Sequence, residues 1–262
     1  MDAAQRGMRF IFFLLACLML MPPAAALAMV GGAREAGITE GARHAVLIVS
    51  SRGSSCTGTA IARDLVLTAA HCVLPGADYK LVEFDAARRP VLKDIAAIVR
   101  HPAFDVGAVL RHRSTADVAL LKLAAPLSNP AVALAPADVK VAPGDRLTVI
   151  GSGLAVPGDG KTGGTARTAT LIVIGRQIVF QIRLVDPATK GERAGLGACT
   201  GDSGAPVFQE TGNGRAVIGL VSWSTGPNNT AGCGGLTGVT PLARYRDWIA
   251  ETARRLGSID VP

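Results

Sequence analysis

The segment Cys199-Thr200-Gly201-Asp202-Ser203-Gly204-Ala205-Pro206 carries the most chemical promise in this chain. A serine hydroxyl is a weak nucleophile that needs a neighbouring base and a turn that exposes its oxygen. Glycines on either side of Ser203 allow a sharp turn and can aim backbone N–H groups at a developing oxyanion. Gly-Asp-Ser-Gly alone is also an ordinary turn sequence, so further pieces are needed. Leu67-Thr68-Ala69-Ala70-His71-Cys72 supplies one, a histidine just after an apolar run. Histidine is the usual base for a serine because its pKa lies near neutral pH. Ala116-Asp117-Val118-Ala119-Leu120-Leu121 supplies another. Its carboxylate heads an apolar strand, where it would be partly buried and must find a partner, and a base histidine is such a partner. Asp105 lacks the apolar strand after it, and Asp64 reads as a turn residue. His44, His101 and His112 read as structural or surface residues.

These groups need strands to hold them. Runs rich in Val, Ile, Leu and Thr predict strands at 44–49, 58–62, 65–68 and 118–123. Similar runs follow at 146–150, 168–174, 178–184, 205–208 and 216–222. A turn of helix is expected at 69–72. With Gly 31 and Pro 15 marking many turns, the chain reads as all-β. The Pro- and Ala-rich stretch 126–143 reads as a connector between halves of similar size, and 151–165 as a Gly-rich loop. Tyr245, Trp248, Ile249 and Ala253 recur at helical spacing within 242–256, which predicts an amphipathic helix on the second half.

The first 28 residues have a different character. Arg6 and Arg9 precede an apolar run from Phe10 to Met21, then Pro22-Pro23 and small residues up to Ala28, the layout of a secretory signal peptide. The run is short for a membrane span, so no anchor is expected after cleavage. Of 5 cysteines, Cys17 lies in that leader, which leaves Cys56, Cys72, Cys199 and Cys233. An even number in an exported chain implies two disulfides, with three possible connectivities. No C-x-x-C pair or His/Cys cluster suggests a metal site. The net charge of +7 falls to about +6 when Arg6, Arg9 and Asp2 are set aside. That charge attracts acidic surfaces, but aromatic residues are only 4%, so no aromatic-interleaved basic patch suggests nucleic acid.

The His71, Asp117 and Ser203 segments, in that order, resemble the chymotrypsin/trypsin family of serine endopeptidases. The likeness runs from Met29-Val30-Gly31-Gly32, similar to the family's mature start, through Cys56 to Cys72 and Cys199 to Pro206. It continues through Ser222-Trp223-Ser224 to Gly238-Val239 and the helix around Trp248. The resemblance implies two antiparallel six-stranded β-barrels, the active site between them, and a C-terminal helix. The first barrel would span 29–138 and carry His71 and Asp117; the second would span 139–262 and carry Ser203.

By that likeness Ser203 is the nucleophile, His71 the base and Asp117 its orienting partner. Gly201 and Ser203 N–H groups form the oxyanion hole. The disulfides join Cys56 to Cys72 and Cys199 to Cys233. Gly197 is the base of the primary specificity pocket, Ser224 and Gly238 its walls, with Ser222 and Trp223 beside the substrate. Gly197 supplies no carboxylate for Arg or Lys, so cleavage after uncharged, mostly apolar residues is expected. Met29, freed at its α-amino group, would pair with Asp202. Ala26-Leu27-Ala28 is a small-x-small cleavage site that would expose Met29 directly. Ala205 replaces a usual glycine, Met29 a usual Ile or Val, and some family disulfides are missing, which fits a simpler, bacterial-type member. The implied protein is a secreted or periplasmic monomer acting on protein or peptide substrates without cofactor or metal. A catalytically silent binding protein on the same fold is the rival; such proteins typically lose His, Asp or Ser. An esterase of the nucleophile-elbow type is disfavoured, since the segment is not G-x-S-x-G and the triad order is wrong for that fold.

Overall fold

The computed structural model describes residues 29–37, 41–85, 87, 89–128, 131–175, 180–211 and 214–258. The expected leader, 1–28, lies outside the described residues.

Six strands close the first barrel: β2 (Ala45–Ser50), β3 (Ser55–Ala62), β4 (Leu65–Thr68), β5 (Tyr79–Phe84), β6 (Pro90–Arg100) and β7 (Ala119–Leu123), in the order β2-β3-β4-β7-β6-β5. A short helix α1 (Val106–Leu110) lies between β6 and β7, capped by the Asp105 carboxylate, which accepts from the Gly107 N–H at 2.8 Å. The second barrel is built from β8 (Arg146–Gly151), β9 (Arg167–Ile174), β10 (Ile182–Val185), β11 (Pro206–Thr211), β12 (Gly214–Ser224) and β13 (Thr237–Pro241). Its ring closes through β8–β9 pairing, and β1 (Arg34–Glu35) adds to β9 from outside. All ladder pairings are antiparallel. Closure satisfies the edge groups that an open sheet would expose.

Each barrel has its own apolar filling. Ile48, Val66, Leu81 and Leu121 fill the first; Leu147, Val149, Leu171, Leu184 and Val207 fill the second. A third cluster forms the seam: Ile61, Leu65, Leu67, Val118 and Leu120 pack with Ile150, Phe208, Val217 and Leu220. The strands that lead to His71 and Asp117 therefore present one face to the partner barrel. Burying each such side chain contributes about 1.5–3 kcal/mol, so the seam fixes the relative placement of the two halves of the site.

The C-terminal helix α2 (Arg246–Arg255) buries Ile249 and Ala253 in that seam. It also reaches the first barrel, where the His101 ring meets Tyr245 and Trp248 with centroids 5.1 and 4.9 Å apart. The expected helix on the second half is thus a clasp across both. β5, β6 and β13 were not anticipated by periodicity, and β10 begins at Ile182, later than the 178–184 run suggested. Among the described residues no helix is long and apolar enough to cross a membrane.

Candidate active site

β4 runs straight into a single 3-10 turn, Ala70–Val73, that presents His71. The Cys56–Cys72 disulfide ties this turn back to β3. Asp117 sits two residues before β7 begins, and β7 pairs with β4 through Thr68↔Ala119. That ladder brings Asp117 beside the His71 turn. The carboxylate accepts the His71 backbone N–H at 3.0 Å on Oδ1 and pairs with His71 Nδ1 at 2.8 Å on Oδ2. The Ser222 hydroxyl donates to the same Oδ2 at 2.5 Å. Asp117 is 0% exposed. Burial pushes its pKa up, but the His71 charge and the hydrogen bonds from His71 and Ser222 outweigh that and hold it below the usual carboxylate range. A buried, ionised carboxylate fixes the imidazole with Nδ1 toward it, leaving Nε2 for other work.

Ser203 comes from the opposite barrel, in the loop between the Cys199–Cys233 disulfide and β11. Gly204 takes φ +81°, and a side chain there would collide with Thr57 O and Thr68 Oγ1, so only glycine lets the loop close on the first barrel. Thr57 clamps the loop. Its N–H donates to Ser203 O at 2.8 Å, its hydroxyl donates to Gly201 O at 2.8 Å and accepts from Ser152 N at 3.1 Å. With those carbonyls held, the Gly201 and Ser203 N–H groups have no acceptor among the described residues, and neither does Ser203 Oγ. His71, Ser203 and Gly201 line one open cleft of about 460 Å³ between the barrels. A nucleophile, an oriented base and unspent donors in one cleft can perform acyl transfer.

The other expected residues separate. Trp223 and Ser224 line the cleft with His71 and Ser203. Ser222 turns inward to Asp117 instead. Gly197 and Gly238 are not in the cleft lining: Gly197 bridges to Val30, and a side chain on Gly238 would overlap the Trp223 indole. That indole is only 7% exposed and stacks on His112 at 4.6 Å. It occupies the side of the cleft where the sequence placed an open pocket wall.

Asp202, next to the nucleophile, is also 0% exposed. Its oxygens accept from Cys199 N and Gly153 N, both at 2.8 Å. Burial pushes its pKa up to about 7, with those two hydrogen bonds and the charge of Arg167 only partly opposing it. Met29 is fully buried in the second barrel's core, near the loop through Ala198 and Ala205, whose methyl is itself buried there. In the full chain the Met29 nitrogen is part of a peptide bond.

Sequence reasoning did not find Thr57 or Arg167, and it gave Ser222 another role. A threonine buried mid-strand beside Cys56 was the available signal for Thr57, since a buried hydroxyl must find partners. Cys56, His71 and Cys72 place three ligand-type atoms within 4.8 Å, but the two sulfurs are bonded to each other and are not thiolates.

Comparison with known proteins agrees with this geometry. The profile of the trypsin family matches residues 30–249. The vitellin-degrading protease of Bombyx mori is 27% identical over 86% of this chain and 86% of its own length. Vitamin K-dependent protein C of Mus musculus is 32% identical over 79% of this chain, which covers 48% of that longer protein. Scolexin B of Heliothis virescens is 29% identical over 79% of this chain and 77% of its own. Among solved structures, human heparin binding protein superposes with a TM-score of 0.65 at 24% identity, over 84% of this chain and 95% of that one.

Proposed function

This chain belongs to the trypsin family and is a serine endopeptidase; on that premise we propose that it is exported and cleaves its substrates through His71, Asp117 and Ser203. The observation that carries the assignment is the imidazole held by a buried carboxylate across one cleft from an unbonded Ser203 hydroxyl.

Ser203 Oγ attacks the scissile carbonyl carbon while His71 Nε2 takes its proton. The carbonyl electron pair moves to oxygen, and the Gly201 and Ser203 N–H groups receive that oxyanion. The pair returns, the C–N bond breaks, and His71 gives its proton to the departing amine. A water then repeats the sequence on the acyl-enzyme ester, with His71 as base, and releases the acid and Ser203. Asp117 stabilises the imidazolium throughout.

Uncharged side chains are the proposed preference before the scissile bond. Among the described residues lining the cleft there is no Asp or Glu, and Arg52 is the cation on its rim. A substrate guanidinium or ammonium would go unpaired there, at a cost of several kcal/mol. Trp223, packed against Gly238, gives the cleft an apolar wall. Secretion is supported by the leader-like composition of residues 1–28 and by two disulfides. Cleavage after Ala28 would free Met29 as an ammonium. Its burial and the Val30–Gly197 bridge support docking of that terminus toward Asp202.

One experiment on the exported protein tests this. A tagged fluorophosphonate is expected to label it at Ser203, and a peptide library to show cuts after Ala, Val, Leu or Phe. Ser203→Ala is expected to abolish labelling and to lower kcat about a millionfold. Unchanged hydrolysis by Ser203→Ala overturns the triad, and cuts only after Arg or Lys overturn the specificity.

A further inference from the structure

Three successive peptide planes shape the oxyanion hole. The plane joining residues 200 and 201 carries the Gly201 N–H, and the plane joining 202 and 203 carries the Ser203 N–H. In a planar trans peptide the N–H points opposite to the C=O, so pinning a carbonyl aims the donor of its own plane. Thr200 O accepts from Leu154 N at 2.8 Å, and Asp202 O accepts from Ala205 N at 2.9 Å. Both outer planes are therefore held by backbone. The middle plane, between Gly201 and Asp202, sets how the two donors lie relative to each other. Its joint is soft, because Gly201 is a glycine at φ +93°. Its N–H, on Asp202, turns back to Cys199 O at 3.0 Å within the same loop. Its carbonyl is held by a side chain: the Thr57 hydroxyl donates to Gly201 O at 2.8 Å.

The surroundings hold that hydroxyl firmly. Thr57 is 0% exposed in β3, and its Oγ1 also accepts from Ser152 N at 3.1 Å. Thr57 O accepts from Thr68 Oγ1 at 2.9 Å, and Thr57 N donates to Ser203 O at 2.8 Å. Ser152, Gly153 and Leu154 follow β8, and their N–H groups reach Thr57 Oγ1, Asp202 Oδ1 and Thr200 O in turn. Thr57 thus joins the first barrel to both segments of the second that surround the hole. Successive residues of a strand point to opposite faces. In β3, Cys56 is disulfide-bonded to the turn that carries His71, and Thr57 is bonded to the loop that carries Ser203. One stretch of strand fixes the base and the oxyanion donors together.

We propose that Thr57 is a positioning residue: its hydroxyl locks the Gly201–Asp202 peptide and so keeps the Gly201 and Ser203 N–H groups aimed at one oxygen. This rests on the triad assignment above. The hydroxyl acts through those two N–H groups, which matter most when the carbonyl oxygen carries its full developing charge. Its loss therefore lowers kcat and leaves substrate binding nearly unchanged.

The test is made on the exported protein. Thr57→Val keeps the shape and deletes the hydroxyl. Its kcat is expected to fall about ten- to a hundredfold with KM nearly constant. A peptide aldehyde adds to Ser203 and places its oxygen in the hole, so it should bind more weakly by about the same factor. The matching peptide alcohol forms no adduct and should bind as before. Thr57→Ser, which keeps the hydroxyl, should restore most of the rate. A role in stability alone would lower the unfolding temperature but leave kcat of the folded enzyme and the aldehyde-to-alcohol affinity ratio unchanged. That result overturns the proposal, as does equal weakening of aldehyde and alcohol. A readout independent of hydrolysis comes from backbone NMR relaxation in the chain carrying Ser203→Ala. On Thr57→Val the order parameters of Gly201 and Asp202 are expected to fall from about 0.85 toward 0.6, while those of the strands hold. Unchanged values overturn the proposal. Should Thr57→Val not fold, Thr57→Ala against Thr57→Ser gives the same comparison. A wild-type protein that neither cleaves peptides nor binds the aldehyde would strike the triad assignment and leave the order parameters to decide this one.

Discussion

Two aspartates in this molecule are equally buried and behave oppositely. Asp117 and Asp202 are each 0% exposed, one on either side of the seam between the barrels. Burial raises the pKa of both. At Asp117 a ring that can carry charge, a second hydrogen bond from the same histidine and the Ser222 hydroxyl overcome burial, and the group stays below the usual range. At Asp202 two backbone donors and a more distant arginine do not, and it rises to about 7. Burial alone does not set the charge of a carboxylate; the donors that converge on it do. The first arrangement suits a permanent anion behind a base. The second suits a carboxylate that completes its pairing only when another cation arrives.

The largest effect that would break this contrast is at Asp117. Asp117→Asn keeps the shape but offers an amide where His71 needs an acceptor, and it favours the wrong imidazole tautomer. A fall in kcat of about ten-thousandfold is expected, with the fold intact by circular dichroism. A loss of only a few fold would mean that Asp117 orients the histidine without contributing charge.

The contrast also predicts opposite pH slopes for stability. Asp117, with a lowered folded pKa, contributes stability that is present above its unfolded value of 3.8 and lost as pH falls through the folded pKa. Asp202 moves from 3.8 unfolded to about 7 folded, so the native state holds its proton more tightly. Its contribution turns unfavourable as pH rises from about 4 toward 7 and levels off above, by roughly 4 kcal/mol in all. In the full chain carrying Ser203→Ala, adding Asp202→Asn should become progressively more stabilising, relative to its parent, between about pH 5 and pH 8. A difference independent of pH would show that Asp202 is ionised throughout. In the chain released at Met29 the slope should flatten, since the ammonium favours the carboxylate.

The two sites were also unequally visible in the amino-acid sequence. His71, Asp117 and Ser203 each adjoin an apolar run, so local pattern marked both the residue and the strand that positions it. Thr57 and Arg167 act across 144 and about 35 residues of sequence respectively, and nothing in their neighbourhoods marks them. Asp202 was legible through its place beside Ser203, but the Arg167 charge on β9 that bears on it was not. β5 and β6 interleave Lys80, Glu83, Lys93 and Asp94 with their apolar residues, which broke up the apolar signal, and β13 is short and opens with Thr237-Gly238. The specificity residues divide: Trp223 and Ser224 line the cleft, while Gly197 and Gly238 do not. Gly238 permits a close approach, and a sequence cannot show that the Trp223 indole is what approaches it.

The smallest predicted effect is the most discriminating for Asp117. Ser222 Oγ and His71 Nδ1 meet the same oxygen, Oδ2, at 2.5 and 2.8 Å. If Asp117 stays ionised because several donors share the work, removing one should move it only part of the way. Ser222→Ala leaves His71 in place and deletes a hydroxyl that is 4% exposed, so little packing changes and water has poor access to replace it. The expected loss is about 1–2 kcal/mol of stability and about a tenfold fall in kcat with KM nearly constant. Ser222→Thr, which keeps the hydroxyl, should restore most of the rate. A Ser222→Ala enzyme with wild-type kcat and stability would mean that His71 alone holds Asp117 ionised, and the sharing of donors that separates it from Asp202 would be structural rather than electrostatic.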